Sequence, residues 1–213
     1  MKPQRMTELV IATTNRGKLA ELRQLLEGRG VKVMGLCDIG GVPEAAETGK
    51  NFSENARQKA VFYGTLLGGW ILADDSGLEV DALGGAPGVH SARFAGGDGA
   101  DGASRDRANN AKLLGLLAEV PPEKRTARFR CSLCLCYGGE VVLEVEGQVE
   151  GRILSEPRGE NGFGYDPLFL ISAAGKTAAE LGNGEKNALS HRGMALRALL
   201  EKLEPFVSQS QMR

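Results

Sequence analysis

The chain has 213 residues, 42% apolar and 25% charged, an ordinary balance for one globular domain spanning residues 1–213 with a sizeable core. A net charge of -1 gives no global field for nucleic acid or an anionic membrane surface. The apolar runs near Leu9 and Trp70 are far too short to span a bilayer, and no signal-like apolar stretch follows Met1. The expectation is a cytoplasmic protein with neither nucleic acid nor membrane as partner.

In chain order, the pattern predicts a strand near residues 8–13 and a helix near 16–28 carrying Leu19, Leu22, Leu25 and Leu26. A strand around 31–36 follows, then a helix over 52–67 with Phe52, Ala56, Ala60, Tyr63 and Leu67 on one face. WILAD, 70–74, reads as a strand that gives way to a Gly-rich stretch through Gly102. Ser104 suits the cap of a helix running to about Ala118, stopped by Pro121-Pro122. RFRCSLCLCY and EVVLEVEG, joined by Gly138-Gly139, read as a hairpin. PLFLI, 167–171, is a further strand, and Ser190 to Leu203 a last helix ended by Pro205. Helices at both ends of a hairpin point to an α/β fold with a mixed sheet.

Cys131 and Cys134 form a C-x-x-C, but the strand alternation of ARFRCSLCLCY sends them to opposite faces. With no second pair or nearby His to complete a tetrahedral site, these thiols together with Cys37 and Cys136 read as packed residues in a reducing compartment.

Helix starts carry unpaired N–H groups and partial positive charge, so acidic residues are expected there. Arg16 and Lys18 break that rule. Either they are solvated cations, at a cost of about 0.3–1 kcal/mol each, or they join the Thr13-Thr14-Asn15 turn and Gly17 as a phosphate receptor. The stretch is no Walker loop, since the second Gly and the Ser/Thr after Lys are missing.

Asp74-Asp75-Ser76-Gly77 closes an apolar strand, and adjacent strand carboxylates face opposite ways. Asp75 suits a metal ligand or a base that activates water, with Asp74 as support; the alternative is a polar turn held by Asp side chains. In ETGKNFSENARQKA, Glu47 precedes a helix from which Glu54, Asn55 and Lys59 project, with Asn55 and Lys59 sharing a face. Lys59 is a candidate for phosphate and Glu47 for a metal. GENGFGYDPLFL offers Phe163, Gly164, Tyr165 and Asp166 as a loop for a planar base, or two core aromatics entering a strand. Near the last helix, Lys186, His191 and Arg192 again put cations at the wrong end. Of these, Lys186 and Arg192 suit donation to a ligand carbonyl or phosphate, while a lone His is more often structural.

Together, ATTNRGK (12–18), ETGKNFSENARQKA (47–60), ADDSGLEVDALGGAPGVHSARF (73–94), GFGYDP (162–167) and EKNALSHRGMA (185–195) resemble the inosine triphosphate pyrophosphatase family. The resemblance implies a mixed, twisted central sheet flanked by helices, two lobes with an active-site cleft between them, and a homodimer. It implies Mg²⁺-dependent hydrolysis of ITP, dITP and XTP to monophosphate and pyrophosphate. Carried onto this chain, Thr13 to Lys18 would cradle the triphosphate. Asp75 would bind Mg²⁺ and accept a proton, Ser76 would touch substrate, and Phe163 to Asp166 with Lys186, His191 and Arg192 would hold the base. The expected catalytic set is Asp75, Lys18 and Lys59, and the expected metal ligands are Asp75 and Glu47. Two positions depart from the family pattern: Ala46 replaces the first of a frequent acidic pair before Thr-Gly, and Thr14 stands where Gly is frequent. A pyrophosphatase for modified pyrimidines and a nucleotide-sensing regulator without turnover are the competing readings.

Overall fold

The computed structural model describes residues 5–96 and 102–208; residues 97–101 of the Gly-rich stretch lie outside them. Leu9 and Ile11 are buried on one face of strand β1, Glu8–Ala12, with the exposed Glu8 and half-buried Val10 on the other before the strand ends in the buried Ala12. Asn15 then caps helix α1, Arg16–Leu26, its Oδ1 accepting the Lys18 N–H at 3.1 Å. Leu19, Leu22 and Leu26 form its buried stripe. Strand β2, Lys32–Gly35, returns parallel to β1, and the short helix α2 covers Leu36–Ile39. Helix α3, Phe52–Leu67, is capped by Asn51, whose Oδ1 accepts the Glu54 N–H at 2.9 Å.

Strand β3 covers Trp70–Val80, so the predicted strand of residues 70–74 is six residues short. Leu78 and Val80 continue the burial, and Gly77 lets the backbone pass Ser91, whose Oγ would lie 2.3 Å from a Cβ there. The parallel pairing of β3 with β1 ends at Ala12 opposite Ala73. Asp74 and Asp75 therefore lie mid-strand, beside the point where β1 gives way to the Thr13 turn.

Helix α4, Gly102–Leu116, contains Ser104 within its first turn rather than at the cap. Strands β4, Thr126–Tyr137, and β5, Glu140–Ile153, are joined by Gly138-Gly139, both with positive φ, as a tight antiparallel hairpin requires. Gly64 brings α3 against this turn: a Cβ there would stand 2.8 Å from the Gly139 nitrogen. Strands β6, Phe169–Ile171, and β7, Lys176–Thr177, add antiparallel pairs. A short helix that the pattern does not predict, α5, Asn183–Leu189, ends at the extended Ser190, and the last helix, expected over residues 190–203, is α6, His191–Ser208. Lys186 thus lies inside a helix, and α6 continues past Pro205, which withholds only one backbone donor in its final turns.

The sheet order is β2-β1-β3-β4-β5-β6-β7, parallel at one end and antiparallel at the other, the mixed α/β architecture expected. The chain forms two compact units. One comprises the residues to Asp75, Cys131–Gly147 and the residues from Arg192; the other comprises Ser76–Arg130 and Gln148–His191. In the first unit, alternation along β4 puts Cys131, Leu133 and Leu135 in a core with Leu22 and Leu199, and Cys134 and Cys136 in a second core with Ala60 and Ile71. The four thiols are free; Cys131, Cys134 and Cys136 are packed as expected and burial raises their pKa, that of Cys134 to about 12, whereas Cys37, expected to pack, is exposed. The second unit has its own core around Leu78, Leu113, Phe169 and Ile171.

Candidate active site

The cations at two helix starts share one partner. Lys18 from α1 places Nζ 2.6 Å from Asp74 Oδ1, and Arg192 from α6 donates Nε to Asp74 Oδ2 at 2.8 Å. Cys131 on β4 donates Sγ–H to the same Oδ2 at 3.1 Å, and Arg192 Nη1 also pairs with Glu21 of α1. Asp74 is fully buried. Burial alone would raise its pKa, but Arg192 and Lys18 outweigh that and hold it well below the usual carboxylate range. Burial opposes the charge on Arg192 in turn, and Asp74 and Glu21 more than restore it. The helix-start anomaly is therefore settled within the protein for these two residues, while Arg16 is exposed and Thr13, Asn15 and Gly17 are half-buried.

Asp75, on the opposite side of the strand, is 7% exposed. Its Oδ2 accepts Asn55 Nδ2 at 3.0 Å, and its Oδ1 lies 3.4 Å from Lys59 Nζ. The same ammonium reaches Glu47 Oε1 and the Asp74 carbonyl, both at 2.8 Å. Lys59 thus directs its three donors at protein acceptors and gathers Asp75 and Glu47 around one cation. Burial opposes its charge, but Asp75 and Glu47 keep its pKa above the ordinary value. For Asp75 burial wins over Lys59 and Lys18, and the carboxyl is raised. Asn55 also accepts the Gly49 N–H at 2.8 Å, tying the Glu47 turn to the carboxylate it orients. That role was visible in sequence only as a shared helix face with Lys59. Ala46 is exposed, and among the described residues no three His, Cys, Asp or Glu side chains cluster as a metal cage.

In the second unit, Asp166 Oδ2 accepts the Phe163 N–H at 2.9 Å and Lys186 Nζ at 2.5 Å. The Lys186 ammonium lies 4.9 Å from the centroid of the half-buried Phe163 ring. Tyr165 is a core residue whose hydroxyl donates to the Ser91 carbonyl at 2.9 Å, so the two rings of the loop have different surroundings. His191 is buried and stacks on Phe129, with centroids 4.8 Å apart. Ser76 is half-buried.

Residues 9–202 match the model of the Ham1 family. The chain belongs to the Ham1 family. A dITP/XTP pyrophosphatase of Bacillus licheniformis is 51% identical over 199 residues, covering 93% of this chain and 99% of that one. One from Geobacter sulfurreducens is 50% identical over 198 residues, covering 93% and 97%. The HAM1 protein of Coxiella burnetii superposes with a TM-score of 0.81 at 42% identity, covering 93% of this chain and 98% of its own. The Ham1 fold explains the mixed open sheet. Among the described residues no helix is long and apolar enough to cross a membrane.

Proposed function

We propose that this chain hydrolyses the non-standard purine nucleoside triphosphates ITP, dITP and XTP to the monophosphate and pyrophosphate, with Mg²⁺ as cofactor. The observation that carries this reading is the environment of Asp75: a nearly buried carboxylate, raised in pKa, held by Asn55 and Lys59 with Glu47 on the same ammonium. The names of the Ham1 relatives support the choice of substrate.

Asp75 and Glu47 are hard oxygen donors, and Mg²⁺ commonly takes one or two carboxylates together with substrate phosphates and water. When bound, Mg²⁺ would offset phosphate charge and acidify a coordinated water. Asp75 accepts the proton of the water that attacks the α-phosphorus; the bond to the bridging oxygen breaks, and pyrophosphate departs. Lys59 holds Asp75 and Glu47 against their mutual repulsion. The Thr13–Lys18 turn receives phosphate oxygens through backbone N–H groups and Arg16, and Lys18 adds ammonium donors beyond the one spent on Asp74. Arg192 fits a positioning part, locking the start of α6 to Asp74 and Glu21.

Phe163 supplies a stacking face for the base, with Asp166, Lys186, His191 and Ser76 as the polar surroundings. A donor such as Lys186 suits the 6-oxo acceptor of hypoxanthine and xanthine, where adenine presents an amino donor; the mismatch leaves polar groups unpaired and rejects ATP. The homodimer and the cytoplasmic setting belong to the same reading. Incubation with Mg²⁺ and ITP, XTP, dITP, GTP, ATP or UTP tests it. Monophosphate and pyrophosphate from the first three, with ATP and GTP spared, is the expected result. Diphosphate with orthophosphate, or indifference to the base, contradicts it.

A further inference from the structure

Helix α4 grips the proposed base loop at one residue. Asp106 Oδ2 accepts the Gly164 N–H at 2.7 Å, and Asn110 Nδ2 donates to the Gly164 carbonyl at 2.9 Å. The two side chains are one helical turn apart and so share a face of α4. Gly164 sits at φ 64°, with nothing within 4 Å of where a Cβ would be. Contact with neighbours therefore does not fix its conformation, and glycine visits either hand readily. Its N–H belongs to the peptide plane shared with Phe163 and its carbonyl to the plane shared with Tyr165. Holding both fixes φ and ψ of Gly164, the two torsions at the centre of the link between the rings.

Asn110 reinforces the point. Its Oδ1 is buried and lacks a hydrogen-bond partner among the described residues. An unpaired buried acceptor is costly, and turning the amide over would set oxygen against the Gly164 carbonyl. Packing alone would favour an apolar side chain here; the bond from Nδ2 gives the amide its reason. Next to it, Asn109 ties α4 to the turn at residues 88–95: its Oδ1 accepts the Ala95 N–H at 2.7 Å, and its Nδ2 donates to the Ser91 and Ala92 carbonyls at 3.3 Å. Tyr165 anchors on the same Ser91 carbonyl. One helix therefore holds the loop and the platform beneath it.

We propose that Asp106 and Asn110 are specificity-positioning residues, which set the torsions of Gly164 and thereby the pose in which the Phe163 ring meets the purine base. The inference rests on the reading of residues 163–166 as the base loop. Its test is steady-state kinetics on ITP and ATP for the wild type, Asp106→Ala, Asp106→Asn and Asn110→Ala, with thermal midpoints for each. For the two alanine variants KM for ITP should rise about tenfold or more while kcat stays within about threefold, and preference for ITP over ATP should narrow. Asp106→Asn keeps an acceptor and should recover most of the loss. Should Asp106→Ala fail to fold, Asn110→Ala and Asp106→Asn carry the comparison. Folded variants with unchanged KM, or with kcat falling while KM and base preference hold, overturn the proposal and leave the functional reading intact. A wild type inert toward ITP overturns both.

Discussion

In Asp74→Asn the side chain keeps its size and loses its charge. Three donors converge on this carboxylate: Lys18 Nζ at 2.6 Å, Arg192 Nε at 2.8 Å and Cys131 Sγ at 3.1 Å. An amide offers them one oxygen and turns an NH₂ group toward the rest. In the wild type Lys18 and Arg192 face Asp74 and Glu21, two cations against two carboxylates; the variant leaves Glu21 alone against both. Removing one partner of a buried pair costs about 3–5 kcal/mol, a large part of the roughly 5–15 kcal/mol that stabilises a typical domain. Urea unfolding of the metal-free protein, followed by circular dichroism with a check for two-state behaviour, reads this loss. Adding Lys18→Met removes the stranded cation, so the double variant should recover part of the loss rather than add to it. A loss below about 1 kcal/mol, or strict additivity, would show that Asp74 is not the hub described.

Other predictions follow from the same geometry. Asn55→Ala frees one oxygen of Asp75 and should lower kcat for ITP about tenfold with little change in KM, as steady-state assay would read; unchanged kcat removes Asn55 from the orienting role. Under native conditions a thiol reagent should modify one cysteine per chain, the exposed Cys37, and all four after unfolding; early loss of a second thiol contradicts the buried core. Asp81 accepts two bonds from Arg128 and one from Thr126, which lower its pKa. Its contribution is thus complete above about pH 4 and lost as pH falls through the lowered value. Because the pair is exposed, Asp81→Asn should cost less than about 1 kcal/mol at pH 7, and the difference in urea midpoint should close toward pH 2. A difference that does not change with pH would assign the effect to packing.

What was legible in the sequence was local. Asn51 and Gly68 bracket α3 at the predicted bounds, and Gly138-Gly139 marks the hairpin turn, because caps and tight turns depend on neighbouring residues. Lys18 and Arg192 stand out as cations at helix starts, but their common partner Asp74 is 56 and 118 residues away in the chain, and no periodic pattern encodes such a meeting. The strand through Asp74 and Asp75 was cut short because Ser76-Gly77 resembles a turn; only the packing of Gly77 on Ser91 shows why it continues. Lys59 reads in sequence as a candidate for phosphate, and its place between Glu47 and Asp75 emerges only from the fold. Phe163 and Tyr165 read as equivalent rings, and the buried bond to Ser91 separates them. Residue type announced chemistry, while tertiary contact decided which group holds and which is held.

The most direct test of the proposed chemistry is hydrolysis of ITP in heavy-oxygen water with Mg²⁺, followed by mass analysis of both products. Water activated at Asp75 and directed at the α-phosphorus places the label in the nucleoside monophosphate and leaves pyrophosphate unlabelled. Label in pyrophosphate, or in orthophosphate beside the diphosphate, would put the attack at a different phosphorus and contradict the role given to this site.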